Sequence, residues 1–467
     1  MRWKSTLVLL AATIGIGAYI SLYEIRQPLP EERERRVKRI LSIPPETVTQ
    51  LVFDLPQTKV TLTRAGSMWT LSPNGIRADP ELIGQILNHT SSLMAERVLS
   101  ASPERPLDLK VFGLDPALGW VTLVANGTPT TVLIGGTTPV QDNRYLKISN
   151  RPEVFIIPSE LFDAVNQPAE AFRDPRLIRV DSWLVDELTM TTPTATCSLL
   201  RRDNQWQLTR PFADLADRSE VNALLNRLAG VRIKRFVDDA PQVERTSEWG
   251  FDQPTAEITL RQHREPQTTT TLFFGKSLAD DPSLVYAKRS DEPPLYAVAA
   301  ADVDALLKDP HGLRAKACFE FFTNSVTRVE VRRETAQWTI ERTGDQWQET
   351  GTGLPLEAER VEDFLNTLSD LRLGGFVEDA PSDLGRYGLQ EPDGTITVWM
   401  NDQEKPQKLR VGAVIEGFAN RYGLIDGRDA VVRLPDVITE LLATSLDQFR
   451  PAAAEPSTQA PSNPRTQ

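Results

Sequence analysis

Apolar residues recur at close, nearly alternate spacing in three stretches of the chain, which begin at Val48, Val185 and Val326. Successive side chains of a β-strand point to opposite faces, so this spacing predicts short strands joined by turns. A tryptophan stands near the end of each stretch, and the three are Trp69, Trp206 and Trp347. The same strand pattern is therefore written three times.

An amphipathic helix is predicted after each tryptophan, and the pairs that align the three helices are Leu87-Asn88, Leu225-Asn226 and Leu365-Asn366. Around these pairs the apolar residues form one stripe, which must pack on the strands. A carboxylate at each helix start can accept hydrogen bonds from free backbone N–H groups, and the three are Asp79, Asp217 and Glu357. Asp217 with Glu220 also predicts a capping box.

An aromatic residue followed by glycine comes after each helix and leads into a predicted hairpin. Each hairpin returns to a second glycine and then to a tyrosine. Glycine permits a positive φ or a close backbone approach, so we interpret this motif as a structural link between helix and hairpin. The landmarks that the three copies share are Trp69, Trp206, Trp347, Gly113, Gly250, Gly388, Tyr145, Tyr286 and Tyr422.

The repeats divide the chain into segments. We predict an N-terminal tail at 1–4, a transmembrane anchor at 5–23, a charged juxtamembrane spacer at 24–47, repeat modules at 48–180, 181–323 and 324–450, and a disordered tail at 451–467. Connections this short favour antiparallel pairing. The expected class is α+β: an N-terminal transmembrane helix followed by three tandem repeats of an antiparallel sheet with packed helices.

The predicted anchor is an uncharged run of 19 residues from Ser5 to Tyr23. It is long enough to cross a bilayer as one helix, and it lacks the cleavage site expected of a secretory signal peptide. Lysine and arginine are more frequent after this run than before it, which by itself would keep the body in the cytoplasm. Glutamates interrupt that basic stretch, so we expect a single-pass protein of the inner (cytoplasmic) membrane with the bulk of the chain extracytoplasmic.

The composition of the 467 residues excludes some classes of protein. A formal net charge of −12 argues against nucleic-acid binding, which needs a surplus of basic residues. The two cysteines, Cys197 and Cys318, have no CxxC spacing, and we interpret them as buried free thiols. We predict no cofactor and no metal.

Candidate chemistry is sparse in the sequence. Gly275-Lys276-Ser277 resembles the end of a phosphate-binding loop, but Thr270 stands where that loop needs its first glycine. The histidines, His89, His263 and His311, are far apart and have no counterparts in the other repeats. Two acidic pairs, Asp238-Asp239 and Glu378-Asp379, are interpreted as solvated loop residues. We predict no catalytic residue.

The order of tryptophan, acid-headed helix, aromatic-glycine motif, strand glycine and tyrosine, with Phe172-Arg173-Asp174-Pro175-Arg176-Leu177, resembles the bacterial domain of unknown function 4340 family over residues 48–450. The third repeat departs most from the pattern. The resemblance implies a single-span envelope protein associated with ABC transporters of the gliding-motility type, and it implies no catalytic residues.

We therefore expect a non-enzymatic, membrane-anchored extracytoplasmic accessory or scaffold protein. Its expected partners are the membrane and other proteins, including ABC transporter subunits. One alternative is an extracytoplasmic ligand-binding module with clefts between repeats, where pockets often form. Another is an envelope hydrolase, which would need a nucleophile, a base and oxyanion donors in one pocket. The identity of the partner, any ligand, the arrangement of the modules and the oligomeric state do not follow from the sequence.

Overall fold

A computed structural model describes residues 38–91, 93–102, 106–139, 142–242, 245–263, 267–307, 309–333, 336–401 and 403–451. The predicted N-terminal tail and transmembrane anchor lie outside these residues. So does the predicted disordered tail, apart from Pro451.

The first repeat forms a nine-stranded sheet in the order β4-β3-β2-β1-β6-β7-β8-β9-β5. Its strands are β1 (Val48–Asp54), β2 (Lys59–Ala65), β3 (Met68–Ser72), β4 (Ile76–Arg77), β5 (Arg97–Leu99), β6 (Gly119–Ala125), β7 (Thr128–Thr137), β8 (Asn143–Ile148) and β9 (Val154–Pro158). Between β6 and β7, Asn126 and Gly127 both have positive φ, 49° and 77°, as expected of a tight hairpin turn.

The second repeat forms a nine-stranded sheet with the same order of equivalent strands, β13-β12-β11-β10-β15-β16-β17-β18-β14. Its strands are β10 (Val185–Thr191), β11 (Thr196–Arg202), β12 (Gln205–Arg210), β13 (Asp214–Leu215), β14 (Ile233–Asp238), β15 (Ala256–Gln262), β16 (Thr268–Ser277), β17 (Leu284–Arg289) and β18 (Leu295–Ala299).

The third repeat forms an eight-stranded sheet in the order β21-β20-β19-β23-β24-β25-β26-β22. Its strands are β19 (Val326–Arg333), β20 (Ala336–Thr343), β21 (Gln346–Glu349), β22 (Gly375–Asp379), β23 (Gly394–Met400), β24 (Gln407–Val414), β25 (Arg421–Ile425) and β26 (Ala430–Leu434).

Each repeat has one longer helix and one short closing helix among the described residues. The longer helices are α1 (Pro80–Ser91), α3 (Arg218–Gly230) and α5 (Ala358–Ser369), and the short ones are α2 (Ser159–Asp163), α4 (Ala300–Leu306) and α6 (Val437–Ala443). The predicted apolar stripe is confirmed, since Ile83, Val221 and Val361 are fully buried. Each longer helix thus buries one face.

The third repeat has apolar groups on both faces of its sheet. One core includes Ile425 and Val432 together with the apolar face of α5. A smaller cluster joins Leu424 and Val431 to Tyr387 and Leu389 of the aromatic-glycine motif. Neighbouring residues of a strand point to opposite faces, so the motif covers the face of the sheet opposite the helix.

The chain divides into two compact units. The first holds the described residues up to Leu177 together with Arg232–Pro241 and Pro294–Tyr296. The second holds Ile178–Val231, Gln242–Pro293 and the described residues from Ala297 onward.

The predicted α+β class is wrong. Three large antiparallel sheets dominate the structure, and the longest helix of the described residues has only 13 residues. None of the described helices is long and apolar enough to cross a membrane. The apolar pattern revealed the central strands, but it missed the two-residue edge strands β4 and β13, which enlarge the first and second sheets beyond expectation.

Candidate functional site

The landmark residues are parts of the folded framework. Trp69, Trp206 and Trp347 are buried in their repeats. The structure brings the motif aromatic and the landmark tyrosine together in two repeats, with ring centroids 4.8 Å apart for Phe112 and Tyr145 and 5.0 Å apart for Tyr387 and Tyr422. These contacts join the aromatic-glycine motif to the hairpin that follows it.

The landmark glycines adopt a left-handed conformation, with φ of 63° at Gly113, 82° at Gly250 and 65° at Gly388. Each landmark glycine also lies close to the residue that follows the second glycine of its hairpin. A Cβ atom at Gly388 would lie 2.8 Å from the backbone nitrogen of Ala413, and one at Gly412 would lie 2.2 Å from the carbonyl oxygen of Tyr387. A side chain at either position therefore collides with backbone.

The sequence candidates for metal or nucleotide chemistry do not form a site. Among the described residues, no group of three or more His, Cys, Asp or Glu side chains could hold a metal ion. Gly275-Lys276-Ser277 is the end of strand β16, and the Lys276 N–H donates to the Trp249 carbonyl at 3.0 Å. That N–H is therefore already engaged. Both cysteines are buried free thiols, as predicted.

A small apolar cavity of about 70 Å³ lies inside the first repeat, between α1 and the sheet. Ile86, Thr90, Leu123 and Phe162 are among its lining residues. It is roughly half the volume of an engineered cavity of about 150 Å³ that accepts benzene. The cavity lies within one repeat, whereas the sequence predicted clefts between repeats.

The most unusual chemical environment surrounds Asp214 in the second unit. Its carboxylate accepts hydrogen bonds from Nε of Arg314 at 2.5 Å and from Nε and Nη2 of Arg428 at 2.7 and 2.9 Å. The Asp214 side chain is 0% exposed, and the two arginine side chains are 1% and 3% exposed. Burial of ions is costly unless they are paired, and here every ionic group has an opposite charge beside it.

Two phenylalanine rings enclose the Arg314 guanidinium. Its central carbon lies 4.3 Å from the ring centroid of Phe212 and 3.5 Å from that of Phe376. Nη2 of Arg314 also lies 2.7 Å from Oδ1 of Asp379. The cluster thus contains two arginines, two aspartates and two aromatic rings, with no net charge, in an arrangement where cation–π attraction adds to the ion pairs.

The cluster joins the second repeat to the third. Asp214 opens β13, and Arg314 follows the turn Pro310–Leu313 at the end of the second repeat. Phe376 and Asp379 lie on β22 of the third repeat, and Arg428 lies in the turn between β25 and β26. The arrangement holds one repeat against the next, and none of its groups is placed as a nucleophile.

A related contact occurs in the first unit between the end of the first repeat and strand β14. Arg173 donates from Nη1 and Nη2 to the two carboxylate oxygens of Asp239, both at 2.7 Å. Its guanidinium carbon lies 4.8 Å from the ring centroid of Phe236. Arginine, phenylalanine and aspartate therefore recur in the same combination as Arg314, Phe376 and Asp379.

The two contacts differ in the source of the more deeply buried carboxylate. In the first unit Asp174, directly after Arg173, accepts from Nη1 of Arg77 at 3.1 Å. The residue of the second unit that is equivalent to Asp174 is Ala315. The N–H of Asp174 donates to the carbonyl of Arg77 on β4, and the N–H of Ala315 donates to the carbonyl of Leu215 at the same position of β13. Asp214 on the neighbouring strand supplies the carboxylate there.

The interpretation of the acidic pairs as solvated loop residues is wrong. Asp239 and Asp379 form the ion pairs described above, and Glu378 accepts a hydrogen bond from the Tyr387 hydroxyl. That hydrogen bond raises the pKa of Tyr387. The sequence did contain a signal: phenylalanine and aspartate three residues apart occur in the second and third repeats, where an arginine-ending repeat precedes them.

The fold and these contacts define a class of protein: a tandem-repeat β-sheet protein whose repeats are joined through arginine, an aromatic ring and a carboxylate. The chain belongs to the DUF4340 family, described as a domain of unknown function, whose model matches residues 69–245, 206–377 and 349–454. These three matches support the internal repeats. No curated protein matches the chain. Consecutive family matches overlap at 206–245 and 349–377, so the family pattern includes the start of the following repeat.

Proposed function

We propose that this chain is a non-enzymatic interaction scaffold of the cell envelope, attached to the inner membrane with its bulk extracytoplasmic, and an accessory component of an ABC-type transport system. The observation that carries the proposal is the buried cluster of Asp214, Arg314 and Arg428. Its opposite charges pair with one another and join two repeats, which suits a protein that presents a fixed surface to partners.

The location rests on the sequence. The uncharged run from Ser5 to Tyr23 supports attachment to a membrane, and the family resemblance supports an envelope role beside a transporter. The ligand-binding alternative has weaker support, because the apolar cavity of the first repeat has a volume of only about 70 Å³, and two larger depressions, of about 640 and 690 Å³, lie within the third repeat rather than between repeats.

Affinity capture tests the scaffold function. The tagged full chain is isolated from detergent-solubilised membranes, and co-purifying proteins are identified by mass spectrometry. We expect ABC transporter subunits in amounts well above those captured by an unrelated tagged membrane protein. Recovery of no transporter subunit in repeated experiments would overturn the transport role.

A reporter fusion tests the location. A phosphatase that is active only outside the cytoplasm is fused after residue 50, and we expect an active enzyme. An inactive but full-length fusion would place the body in the cytoplasm and contradict the proposal.

A further inference from the structure

The third repeat ends in an arginine with the same backbone setting as Arg173 and Arg314. The residue before each arginine accepts a hydrogen bond from the start of the long helix of its repeat. These bonds run from Asp79 to Phe172 at 2.8 Å, from Asp217 to Leu313 at 2.8 Å and from Glu357 to Phe449 at 2.7 Å. Arg450, which follows Phe449, is therefore the third member of the arginine series.

Arg450 differs from the other two in its exposure. Its side chain is 45% exposed and pairs with carboxylates of its own repeat, Glu349 at 3.4 Å and Asp447 at 3.0 Å. Taken as a whole residue, Leu354 nearby is 48% exposed, whereas its equivalents Ile76 and Asp214 are 7% and 9% exposed. The face formed by Glu349, Leu354 and Arg450 is thus open where the other repeats are covered.

What covers the other two arginines is a phenylalanine and, three residues later, an aspartate. Residues 452–467 contain no aromatic residue and no aspartate. The backbone N–H groups of Ala95 and Ile233 make equivalent hydrogen bonds, which aligns the first repeat with the second. In this alignment the first repeat has Val98 where the second has Phe236, and Ala101 where the second has Asp239. Neither the tail nor the first repeat of a second copy carries the missing pair.

We propose that the face formed by Glu349, Leu354 and Arg450 binds a β-strand of a partner protein that carries an aromatic residue and, three residues later, a carboxylate. Arg450 exchanges Asp447 and Glu349 for the partner's carboxylate, and the partner's ring stacks on the guanidinium and covers Leu354. The inference rests on the proposed scaffold function and specifies where, and through which chemistry, a protein partner binds.

The chain itself supplies a probe for this face. A fluorescent peptide with the sequence Val231–Ala240 contains Phe236 of β14 and Asp239, which directly follows β14, and its binding to the full-length protein is followed by anisotropy. We expect saturable binding that Arg450→Ala weakens at least about 30-fold, as for loss of one partner of a desolvated charge pair. Asp447→Asn removes a competing carboxylate and should tighten binding.

Two matched controls accompany the probe. Arg332 is also exposed and also pairs within its own repeat, with Glu330 at 3.2 Å, so Arg332→Ala should leave binding unchanged. The peptide Leu93–Ser102 is the equivalent segment of the first repeat without phenylalanine or aspartate, and it should not bind. Equal binding of both peptides, no saturable binding of the first, or no effect of Arg450→Ala would overturn the inference.

The affinity capture separates this inference from the proposed function. If the native chain and Arg450→Ala capture the same transporter subunits equally, the scaffold function stands and the face at Arg450 is not its docking surface. If the native chain captures the subunits and Arg450→Ala loses them, both are supported.

Discussion

Asp214 shows how one buried residue can hold two repeats together. Its equivalents are Ile76 in the first repeat and Leu354 in the third, so an acid stands where the pattern otherwise places an aliphatic side chain. Removing one member of a buried ion cluster leaves the remaining charges unpaired in a medium of low dielectric. The cost of such a change exceeds that of a surface ion pair.

We predict that Asp214→Asn lowers the free energy of unfolding by about 3 to 5 kcal/mol, because Arg314 and Arg428 lose their shared counterion. Asp426→Asn is the matched control, since Asp426 pairs with Arg410 at 3.2 Å but is 44% exposed, and it should cost less than about 1 kcal/mol. Urea unfolding measures both variants. Similar costs would show that burial of the cluster contributes nothing.

Gly388 allows a second test at the residue scale. Gly388→Val and Gly427→Val both force a branched side chain into a positive φ, 65° and 85°. Only Gly388 also places its Cβ against backbone, since Gly427 has no atom within 4 Å. We expect Gly388→Val to be less stable than Gly427→Val by about 1 to 3 kcal/mol in thermal unfolding. Equal melting temperatures would contradict the role of close packing at Gly388.

These residues show what the sequence could reveal. The positive φ of Gly388 is a local requirement, so it is visible in the sequence as a glycine repeated after an aromatic residue. The Asp214 cluster could not be predicted, because its arginine partners are 100 and 214 positions away along the chain. The repeated pair of phenylalanine and aspartate indicated a contact common to two repeats, but it did not identify the arginine that these residues contact.

The long helices repeat one design with different caps. Asp79 accepts from Glu81 N–H at 2.9 Å, and Asp217 accepts from the N–H groups of Ser219 and Glu220 at 2.9 and 3.2 Å. Glu357 makes no such bond to α5. In the predicted capping box, the hydrogen bond from the Glu220 N–H to the Asp217 side chain is present. The Asp217 N–H donates to the carbonyl of Leu313. The sequence predicted these starts because caps are local.

We expect Asp217→Ala to destabilise the protein by about 1 kcal/mol and Glu357→Ala by clearly less, because only Asp217 satisfies free N–H groups. Burial raises the pKa of Asp217, but hydrogen bonds from Ser219 and Glu220 and the charge of Lys316 outweigh it, so the pKa lies below its usual value.

A lowered folded-state pKa sets the pH dependence of this effect. The stability from the ionised cap is present above the unfolded-state pKa of about 3.9 and is lost as the pH falls through the lower folded-state value. The difference between native protein and Asp217→Ala should therefore shrink in strong acid. A difference that grows on acidification would show that the carboxylate is not the cap.

At the scale of the whole molecule, two buried thiols report on the second and third repeats separately. Cys197 lies on β11, and Cys318 belongs to the core of the third repeat. Burial raises the pKa of Cys197 to about 11 and that of Cys318 to about 12. Both thiols should therefore be unreactive in the native protein at pH 8.

Pulsed alkylation in increasing urea, read by mass spectrometry, should label Cys197 and Cys318 with one common midpoint, because the Asp214 cluster couples the two repeats. In Asp214→Asn the Cys318 midpoint should fall further than that of Cys197. Two separate midpoints in the native protein would show that the repeats unfold independently despite the cluster.

The position of the arginine contact determines how easily a further repeat can be added to such a protein by duplication. The second repeat carries phenylalanine and aspartate near its middle and an arginine at its end, so a duplicated copy would arrive with both halves of the contact. Lengthening the array at this point needs no new complementary surface. The first repeat, with Val98 and Ala101, could not be copied into the interior without two compensating substitutions.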